Sequence, residues 1–147
     1  GIALGFKIRK LKNKVYVLLS DGECNEGSVW EAVLFASSNK LSNLIVIVDY
    51  NKWQATGRSQ EIMALEPLKD KWRAFGWHTQ EINGHDFFEI ENSLKNAVIN
   101  IEKPSVIIAN TIKGKGVSFM EDNNNWHYRI PSKKECAAAI SELELNP

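Results

Sequence analysis

The stretch that decides the fold is VYVLLSDGECNEG, residues 15–27. Its first five residues form an uninterrupted run of apolar, β-prone side chains, and a second such run, LIVIV, follows at 44–48. Apolar runs without polar alternation are typical of strands that a parallel sheet buries on both faces. Between the runs, residues at steps of three and four predict an amphipathic helix, so the segment is one βαβ unit. The residues of this helical stripe are Trp30, Val33, Leu34, Ser37 and Leu41.

Three further helices are indicated by start signals and spacing. These signals are Pro67, the pair Asp86 and Glu89, and the pair Ser132 and Glu135. Gly76 is expected to end the first helix and Pro104 to stop the second. The residues that recur at helical spacing are Leu68, Trp72 and Phe75 in the first helix, Ile90, Leu94, Val98 and Ile101 on the core face of the second, and Cys136, Ile140 and Leu143 in the third.

Two more strands are predicted at 78–82 and 105–109. The resulting order of strands and helices is typical of a doubly wound α/β fold, with a mostly parallel sheet and helices on both faces. A long loop, residues 113–131, follows the last strand and contains two glycines and three consecutive asparagines. Loops of that length inside a compact domain are usually functional.

Length and composition exclude several classes of protein. The 147 residues suit one domain, 1–147, and 18 basic residues balance 18 acidic ones, which disfavours nucleic acid and anionic membranes as partners. The longest apolar run is far shorter than a membrane helix, and the first residues of the sequence show no signal-peptide pattern. Two cysteines fit a reducing cytoplasm. The chain begins GIALG without a methionine, so we expect it to be incomplete at its N-terminus.

Polar residues end the two strands of the βαβ unit. Asp21 follows the first strand directly, with Gly22 after it, and Asn51 follows the second. In open parallel sheets, ligands bind beyond the carboxyl ends of the strands. Carboxylate and amide oxygens are the ligands that Mg²⁺ or Ca²⁺ selects. Taken singly, each residue also suits a helix cap or a turn.

The spacing of these residues resembles the thiamine diphosphate signature, and the chain as a whole resembles transketolase, in the form made as two chains. The resemblance rests on SDGECNEGSVWEA (20–32), KLSNL (40–44), FGW (75–77), NGHD (83–86), KGKGVSFME (113–121) and WH (126–127). It covers nearly the whole chain. One departure is Ser20, which stands where the family normally has a glycine.

The resemblance implies roles for particular residues. Asp21, Asn51 and the backbone carbonyl of Trp53 are the implied ligands of Mg²⁺ or Ca²⁺. Gly22 is implied to donate its backbone N–H to the cofactor diphosphate, and the adjacent Glu23 is assigned to the same cofactor site.

The remaining implied roles are catalytic. His127 matches a loop histidine that lies over the diphosphate and near the substrate hydroxyls. Glu26 matches a carboxylate at the interface between subunits that links two active sites, although an acid at a helix N-terminus is an equal alternative. Other prominent residues are predicted to be structural: Trp30 and Trp72 pack, His85 forms a turn, and Cys24 is not a nucleophile.

The implied function is transfer of a two-carbon ketol unit from a ketose phosphate to an aldose phosphate, as in the pentose phosphate pathway. The family's pyrimidine-binding domain, a separate C-terminal subunit or domain, would complete the site, in a homodimer or heterotetramer. The isolated chain is therefore expected to be inactive. The alternatives are an enzyme of the deoxyxylulose-phosphate synthase type, the α subunit of 2-oxo acid dehydrogenase E1, and a non-catalytic assembly domain.

Overall fold

The computed structural model describes residues 1–145 of the chain, in which helices separate the strands of the main sheet along the sequence. The first half contains α1 (Ile2–Ile8), β1 (Val15–Ser20), a 3-10 helix (Gly22–Asn25), α2 (Gly27–Ser38), β2 (Leu44–Tyr50), β3 (Trp53–Gln54), β4 (Gly57–Arg58) and α3 (Ser59–Ile62). The second half contains α4 (Leu68–Ala74), β5 (His78–Asn83), α5 (Phe87–Ile99), β6 (Ser105–Asn110), a second 3-10 helix (Asn124–His127) and α6 (Lys133–Leu145).

Four strands form one parallel sheet in the order β1-β2-β6-β5. Val15 pairs with Leu44, and Ser105 pairs with both Ile45 and His78. All four predicted strands are confirmed, each ending within two residues of its predicted end. Because every pairing is parallel, the carboxyl ends of the strands lie along one edge of the sheet, where ligands bind in this class of fold.

Helices cover both faces of the sheet, which confirms the doubly wound α/β prediction. Val46 and Val48 of β2 belong to one core cluster, which also contains Val33 of α2 and Trp72 of α4. Ile45, the neighbour of Val46, packs with residues of α5 on the other face. The alternation follows from the two-residue period of a strand, which sends successive side chains to opposite faces.

The first strand differs from its prediction. Val15, Val17 and Leu19 pack against the core, but Tyr16 and Leu18 are 52% and 69% exposed. Burial on both faces is therefore wrong for β1. The strand lies at the edge of the sheet, and α5 packs over β5 and β6 at the opposite side.

Two helices bury much of the predicted face, including Val33 of α2 and Leu94 of α5, but leave some of its large residues exposed. Leu34 of α2 is 55% exposed, whereas the small Ala36 is buried. In α5, Ala97 is buried while Val98 is 40% exposed, and Ile101 lies beyond the helix and is 79% exposed. Small side chains let each helix approach the sheet closely, so the larger residues beside them remain at the margin of the contact.

The predicted helix boundaries are otherwise confirmed. Asp86 accepts hydrogen bonds from the backbone N–H groups of Phe88 and Glu89 at the start of α5. Ser132 and Glu135 form a reciprocal capping box before α6. The hairpin formed by β3 and β4, residues 53–58, was not predicted. No helix within residues 1–145 has the length and apolar character required to cross a bilayer.

Candidate cofactor-binding site

The candidate ligands follow the carboxyl ends of two adjacent strands. Ser20 of β1 is paired with Asp49 of β2, so Asp21 and Asn51, a short step further along each chain segment, lie at the same edge of the sheet. The backbone of Lys52 also donates a hydrogen bond to the carboxylate of Asp21. The structure thus brings Asp21 into contact with the segment that follows β2.

Asp21 is a buried carboxylate, with 0% of the residue exposed. Its Oδ2 accepts a hydrogen bond from the Ser59 hydroxyl at 2.6 Å, and its Oδ1 accepts one from the backbone N–H of Gly22 at 2.9 Å. Burial raises the pKa of the Asp21 carboxyl above its ordinary value, and these hydrogen bonds oppose the rise. The described part of the chain, 1–145, pairs no lysine, arginine or histidine with it.

Asn51 is held by its neighbours in a defined orientation. Its Nδ2 donates to Asp49 Oδ2 at 3.2 Å, and its Oδ1 accepts from the backbone N–H of Trp53 at 2.9 Å. The other oxygen of Asp49 accepts a short hydrogen bond from the Thr111 hydroxyl. The amide oxygen of Asn51 therefore lies on the side of the Trp53 backbone.

These residues fit a hard divalent cation. A buried carboxylate is costly unless a positive charge compensates it, and none of residues 1–145 supplies one to Asp21. Within the same residues, no cluster of three His, Cys, Asp or Glu side chains could hold a metal. The available set is instead one carboxylate with neutral oxygens from Asn51 and the Trp53 backbone, which suits Mg²⁺ completed by phosphate oxygens.

Gly22 and Glu23 lie in the 3-10 turn that follows Asp21. A side chain at position 22 would meet Gln54 Cγ at 3.6 Å, an ordinary contact, so packing within the chain does not require glycine there. Glu23 is turned back, because its carboxylate accepts hydrogen bonds from the backbone N–H and the hydroxyl of Ser20. The nearby Nε2 of Gln54 is buried without a hydrogen-bond partner.

Glu26 and Cys24 have contrasting surroundings. Glu26 is exposed at the N-cap of α2 and makes no side-chain capping hydrogen bond there. Cys24 is buried, and burial raises the pKa of its thiol to about 12. A thiol with that pKa is protonated at neutral pH, which agrees with the prediction that Cys24 is not a nucleophile.

His127 lies at the end of the second 3-10 helix, in the long loop, and is exposed. Its ring meets Tyr128 edge-on with 4.6 Å between centroids. In the described residues, its imidazole makes no hydrogen bond to protein. The structure therefore does not bring His127 into contact with Asp21 or Asn51. The loop that contains His127 is held by contacts with the β3–β4 hairpin.

An ion pair that the sequence did not reveal fastens the long loop to the β3–β4 hairpin. Arg58 binds both oxygens of Asp122, at 2.7 and 2.5 Å, and stacks on Trp53 with 3.7 Å to the ring centroid. The indole of Trp53 also donates to Asp122 at 2.8 Å, and Asn124 donates to the carbonyl of Gln54 at 3.0 Å. The guanidinium of Arg58 and the Trp53 indole hold the pKa of Asp122 below its usual value.

A cleft of about 640 Å³ opens beside Asn51 at the same edge of the sheet. Leu18 and Ile107 contribute apolar walls, and Asn51, Thr111 and Lys113 contribute polar groups. Lys113 was not among the predicted site residues. Mixed apolar walls with a few convergent polar groups are typical of cofactor sites.

The fold and these oxygen ligands define the class, a parallel α/β domain with a candidate cation site at the carboxyl edge of its sheet. The family described as "transketolase, thiamine diphosphate binding domain" matches residues 5–147. The chain belongs to this family, which confirms the resemblance predicted from its motifs.

Curated relatives agree with this assignment. The chain is 47% identical over 144 residues to the 6-deoxy-6-sulfo-D-fructose transketolase subunit of a Clostridium species, covering 98% of the chain and 52% of the relative. It is 44% identical over 144 residues to an apulose-4-phosphate transketolase subunit from Actinobacillus succinogenes, with the same shares covered. The chain thus spans about half the length of the curated relatives it matches.

Solved structures show the same fold. The transketolase of Campylobacter jejuni aligns with a TM-score of 0.75 and 28% identity over 92% of this chain and 25% of that one. The transketolase of Leishmania mexicana aligns with a TM-score of 0.73 over 90% of this chain and 23% of that one. At 22% identity, the second likeness concerns the fold alone.

Proposed function

We propose that this chain, as one domain, supplies the Mg²⁺-binding and diphosphate-binding part of a transketolase that moves a two-carbon ketol unit from a ketose phosphate to an aldose phosphate. One observation carries the proposal. Asp21 is a buried carboxylate without a cationic partner in residues 1–145, at a strand end beside the one that carries Asn51. The family's thiamine diphosphate supplies the electron sink that stabilises a carbanion.

The cation ligands on this chain are Asp21, Asn51 and the carbonyl of Trp53, with Mg²⁺ preferred and Ca²⁺ as a substitute. Gly22 donates its backbone N–H to Asp21 Oδ1 at 2.9 Å in this structure, and we propose that it transfers this hydrogen bond to the diphosphate when the cofactor binds. The missing side chain permits close approach there. Glu23 contributes to the same cofactor site through the turn that it stabilises with Ser20. Each of these groups binds or orients, and none of them transfers a proton.

His127 and Glu26 are the proposed catalytic residues of this chain. The exposed imidazole of His127 is free to hydrogen-bond a diphosphate oxygen or a sugar hydroxyl as charge develops on the substrate. Glu26, exposed at the start of α2, is accessible to a second copy of the chain and links the paired active sites across that interface.

A partner completes the site. We infer that a pyrimidine-binding C-terminal subunit or domain binds this chain, because the names of two relatives identify them as subunits. The assembly is a homodimer or a heterotetramer, in the cytoplasm, and acts on sugar phosphates of the pentose phosphate type. We propose that this partner supplies the carboxylate that activates the cofactor, so residues 1–147 alone are expected to show no turnover.

The test is an assay of the full-length protein with its partner, with Mg²⁺ and thiamine diphosphate, on ketose phosphate and on pyruvate as donors. Turnover of the ketose with an aldose acceptor supports a transketolase. Turnover of pyruvate instead identifies a synthase or dehydrogenase of the same fold. Turnover by the chain without any partner contradicts the proposed division of the site.

A further inference from the structure

Ser59 is a buried serine whose contacts reach both halves of the candidate cation site. It is the first residue of α3, directly after the β3–β4 hairpin, and is 1% exposed. Its hydroxyl donates to Oδ2 of Asp21 at 2.6 Å, and its backbone N–H donates to the carbonyl of Lys52 at 3.0 Å. Ser59 therefore joins the residue after β1 to the segment after β2.

The two oxygens of Asp21 each have a fixed donor. Gly22 N–H holds Oδ1 and the Ser59 hydroxyl holds Oδ2, so rotation of the carboxylate would break one hydrogen bond or both. An ionised carboxylate has about four lone-pair positions. The three hydrogen bonds from Ser59, Gly22 and the Lys52 backbone therefore fix the direction of the group and still leave a lone pair for a cation.

We infer that Ser59 is a positioning residue, which holds Asp21 in its cation-binding orientation before the cation arrives. This inference rests on the proposed function, because it assigns Asp21 the role of ligand. Hydrogen bonds from neighbouring groups commonly orient metal ligands in this way, and their loss costs about 10- to 100-fold in metal affinity. Preorganisation explains the size of that loss, since an unrestrained ligand must be ordered when the cation binds.

The adjacent residue shows how specific this contact is. Arg58 and Ser59 are neighbours in sequence, yet Arg58 binds Asp122 of the long loop while Ser59 binds the buried Asp21. The side of the hairpin that faces the loop is exposed, with 36% of the Arg58 side chain accessible. Arg58 contacts the Trp53 ring but makes no hydrogen bond to Asp21, whereas Ser59 does, so the effects of the two residues on Asp21 can be separated.

A purely structural role for the hydroxyl predicts a different result. Ser93 of α5 provides the comparison, because it is also buried, at 3% exposed, and lines the cleft beside Asn51, while its hydroxyl donates to the carbonyl of Ile90 at 2.9 Å rather than to Asp21. Removing either hydroxyl costs the protein one hydrogen bond. Only the loss at position 59 releases a candidate metal ligand.

The experiment measures Mn²⁺ affinity by electron paramagnetic resonance, with the full-length protein, its partner and saturating thiamine diphosphate. The variants are Ser59→Ala, Ser59→Cys, Ser93→Ala and Asp21→Ala. We expect the Mn²⁺ Kd to rise about 10- to 100-fold in Ser59→Ala. Ser59→Cys, whose thiol is a weak donor of similar size, should show a smaller rise, and Ser93→Ala should stay within about twofold of wild type.

The outcomes separate this inference from the proposed function. If Asp21→Ala loses Mn²⁺ but both Ser59 variants bind it as wild type does, the positioning role is wrong and the cation site stands. If Asp21→Ala retains Mn²⁺, the cation site itself is wrong. Should Ser59→Ala fail to fold, Ser59→Cys decides alone. An equal loss in Ser93→Ala would reduce Ser59 to a structural residue.

Discussion

Asp21 and His127, the side chains on which the proposed site most depends, lie in opposite physical surroundings. Asp21 is 0% exposed and is fixed by donors from three other residues, Ser59, Gly22 and Lys52. His127 is exposed in the long loop, and its ring contact is with the adjacent Tyr128. One group is held by the core of the sheet, and the other is carried by a segment that polar contacts fasten to a hairpin.

The difference suits the roles that we propose for the two groups. A carboxylate that holds a cation gains from burial, because electrostatic attraction is strong where water is excluded. A group that meets a substrate has to remain accessible until the substrate arrives. We therefore expect substitutions at the buried position to affect cofactor retention, and substitutions in the loop to affect turnover.

The largest expected effect is at the buried position. Asp21→Ala should abolish retention of Mg²⁺ and thiamine diphosphate in the assembled enzyme, because only neutral donors and phosphate would remain around the cation. Isothermal titration of cofactor into the purified assembly measures this. Asp70→Ala is the control, since it removes an exposed carboxylate on α4 that pairs with Arg73 and is not among the residues that line the cleft. If Asp21→Ala binds the cofactor as tightly as wild type does, the assignment of Asp21 as a metal ligand is wrong.

Asn51→Ala should have the same kind of effect, but a smaller one. The variant removes a neutral amide oxygen, while the charged ligand Asp21 remains in place with its hydrogen bonds. The same titration should therefore show weakened rather than abolished binding of Mg²⁺ and thiamine diphosphate. A loss as complete as that of Asp21→Ala would indicate that Asn51 also supports the folded structure of the site.

His127→Ala should lower turnover and leave the affinity for Mg²⁺ unchanged. We expect kcat/KM for the ketose donor to fall on the order of 10- to 1,000-fold, or about 1.4 to 4 kcal/mol of transition-state stabilisation. The affinity for Mg²⁺ should stay close to wild type, because no protein hydrogen bond joins His127 to Asp21 within residues 1–145. Steady-state kinetics with the partner-complemented enzyme measure the first quantity, and an unaltered kcat/KM would make His127 a bystander.

The buried half of this comparison was predictable from the sequence. Continuous apolar runs predicted the strands, and polar residues at two consecutive strand ends indicated that Asp21 and Asn51 would lie at one edge of the sheet. Both signals are local, because a strand and its end are properties of a few neighbouring residues. The parallel geometry then fixes the edge at which the two ends lie.

The contacts that hold the site in shape were not predictable in the same way. Ser59 lies 38 residues from Asp21, and Arg58 lies 64 from Asp122. No periodicity or spacing joins such pairs, since they depend on how the hairpin folds against the sheet. The exposed faces of β1 and α2 were missed for a related reason, because burial depends on which elements cover a face as well as on its hydrophobicity.

Gly22→Ala tests the proposed contact between the backbone of this chain and the cofactor diphosphate. Because the added methyl group would meet Gln54 only at van der Waals distance, we expect thermal stability to change little. Thiamine diphosphate affinity should fall by about tenfold, roughly 1.4 kcal/mol, if the backbone approaches the diphosphate at this point. Gly27→Ala is the matched control, as a side chain there meets nothing within 4 Å. If Gly22→Ala binds thiamine diphosphate with unchanged affinity, the proposed contact between Gly22 and the diphosphate is wrong.

The smallest effect is expected at the ion pair that fastens the long loop. Asp122→Asn removes the charge that Arg58 binds, and since both side chains are partly exposed we expect a loss of only ~0.2 to 1 kcal/mol. Amide hydrogen exchange should become up to about fivefold faster in residues 113–131, with little change elsewhere. Glu91→Gln, which breaks the exposed pair with Lys95 on α5, should leave the loop unaffected.

The pH dependence of that loss follows from the depressed pKa of Asp122. Arg58 stabilises the ionised form in the folded protein, so the contribution is present above the ordinary value of 3.8 and disappears as pH falls through the lower folded pKa. The difference in melting temperature between wild type and Asp122→Asn should thus be constant near neutral pH and shrink below 3.8. A difference that persists in acid would mean that the charge of Asp122 is not its cause. The left-handed backbone at this position, φ 51°, does not contribute to the difference, because asparagine tolerates it as well as aspartate does.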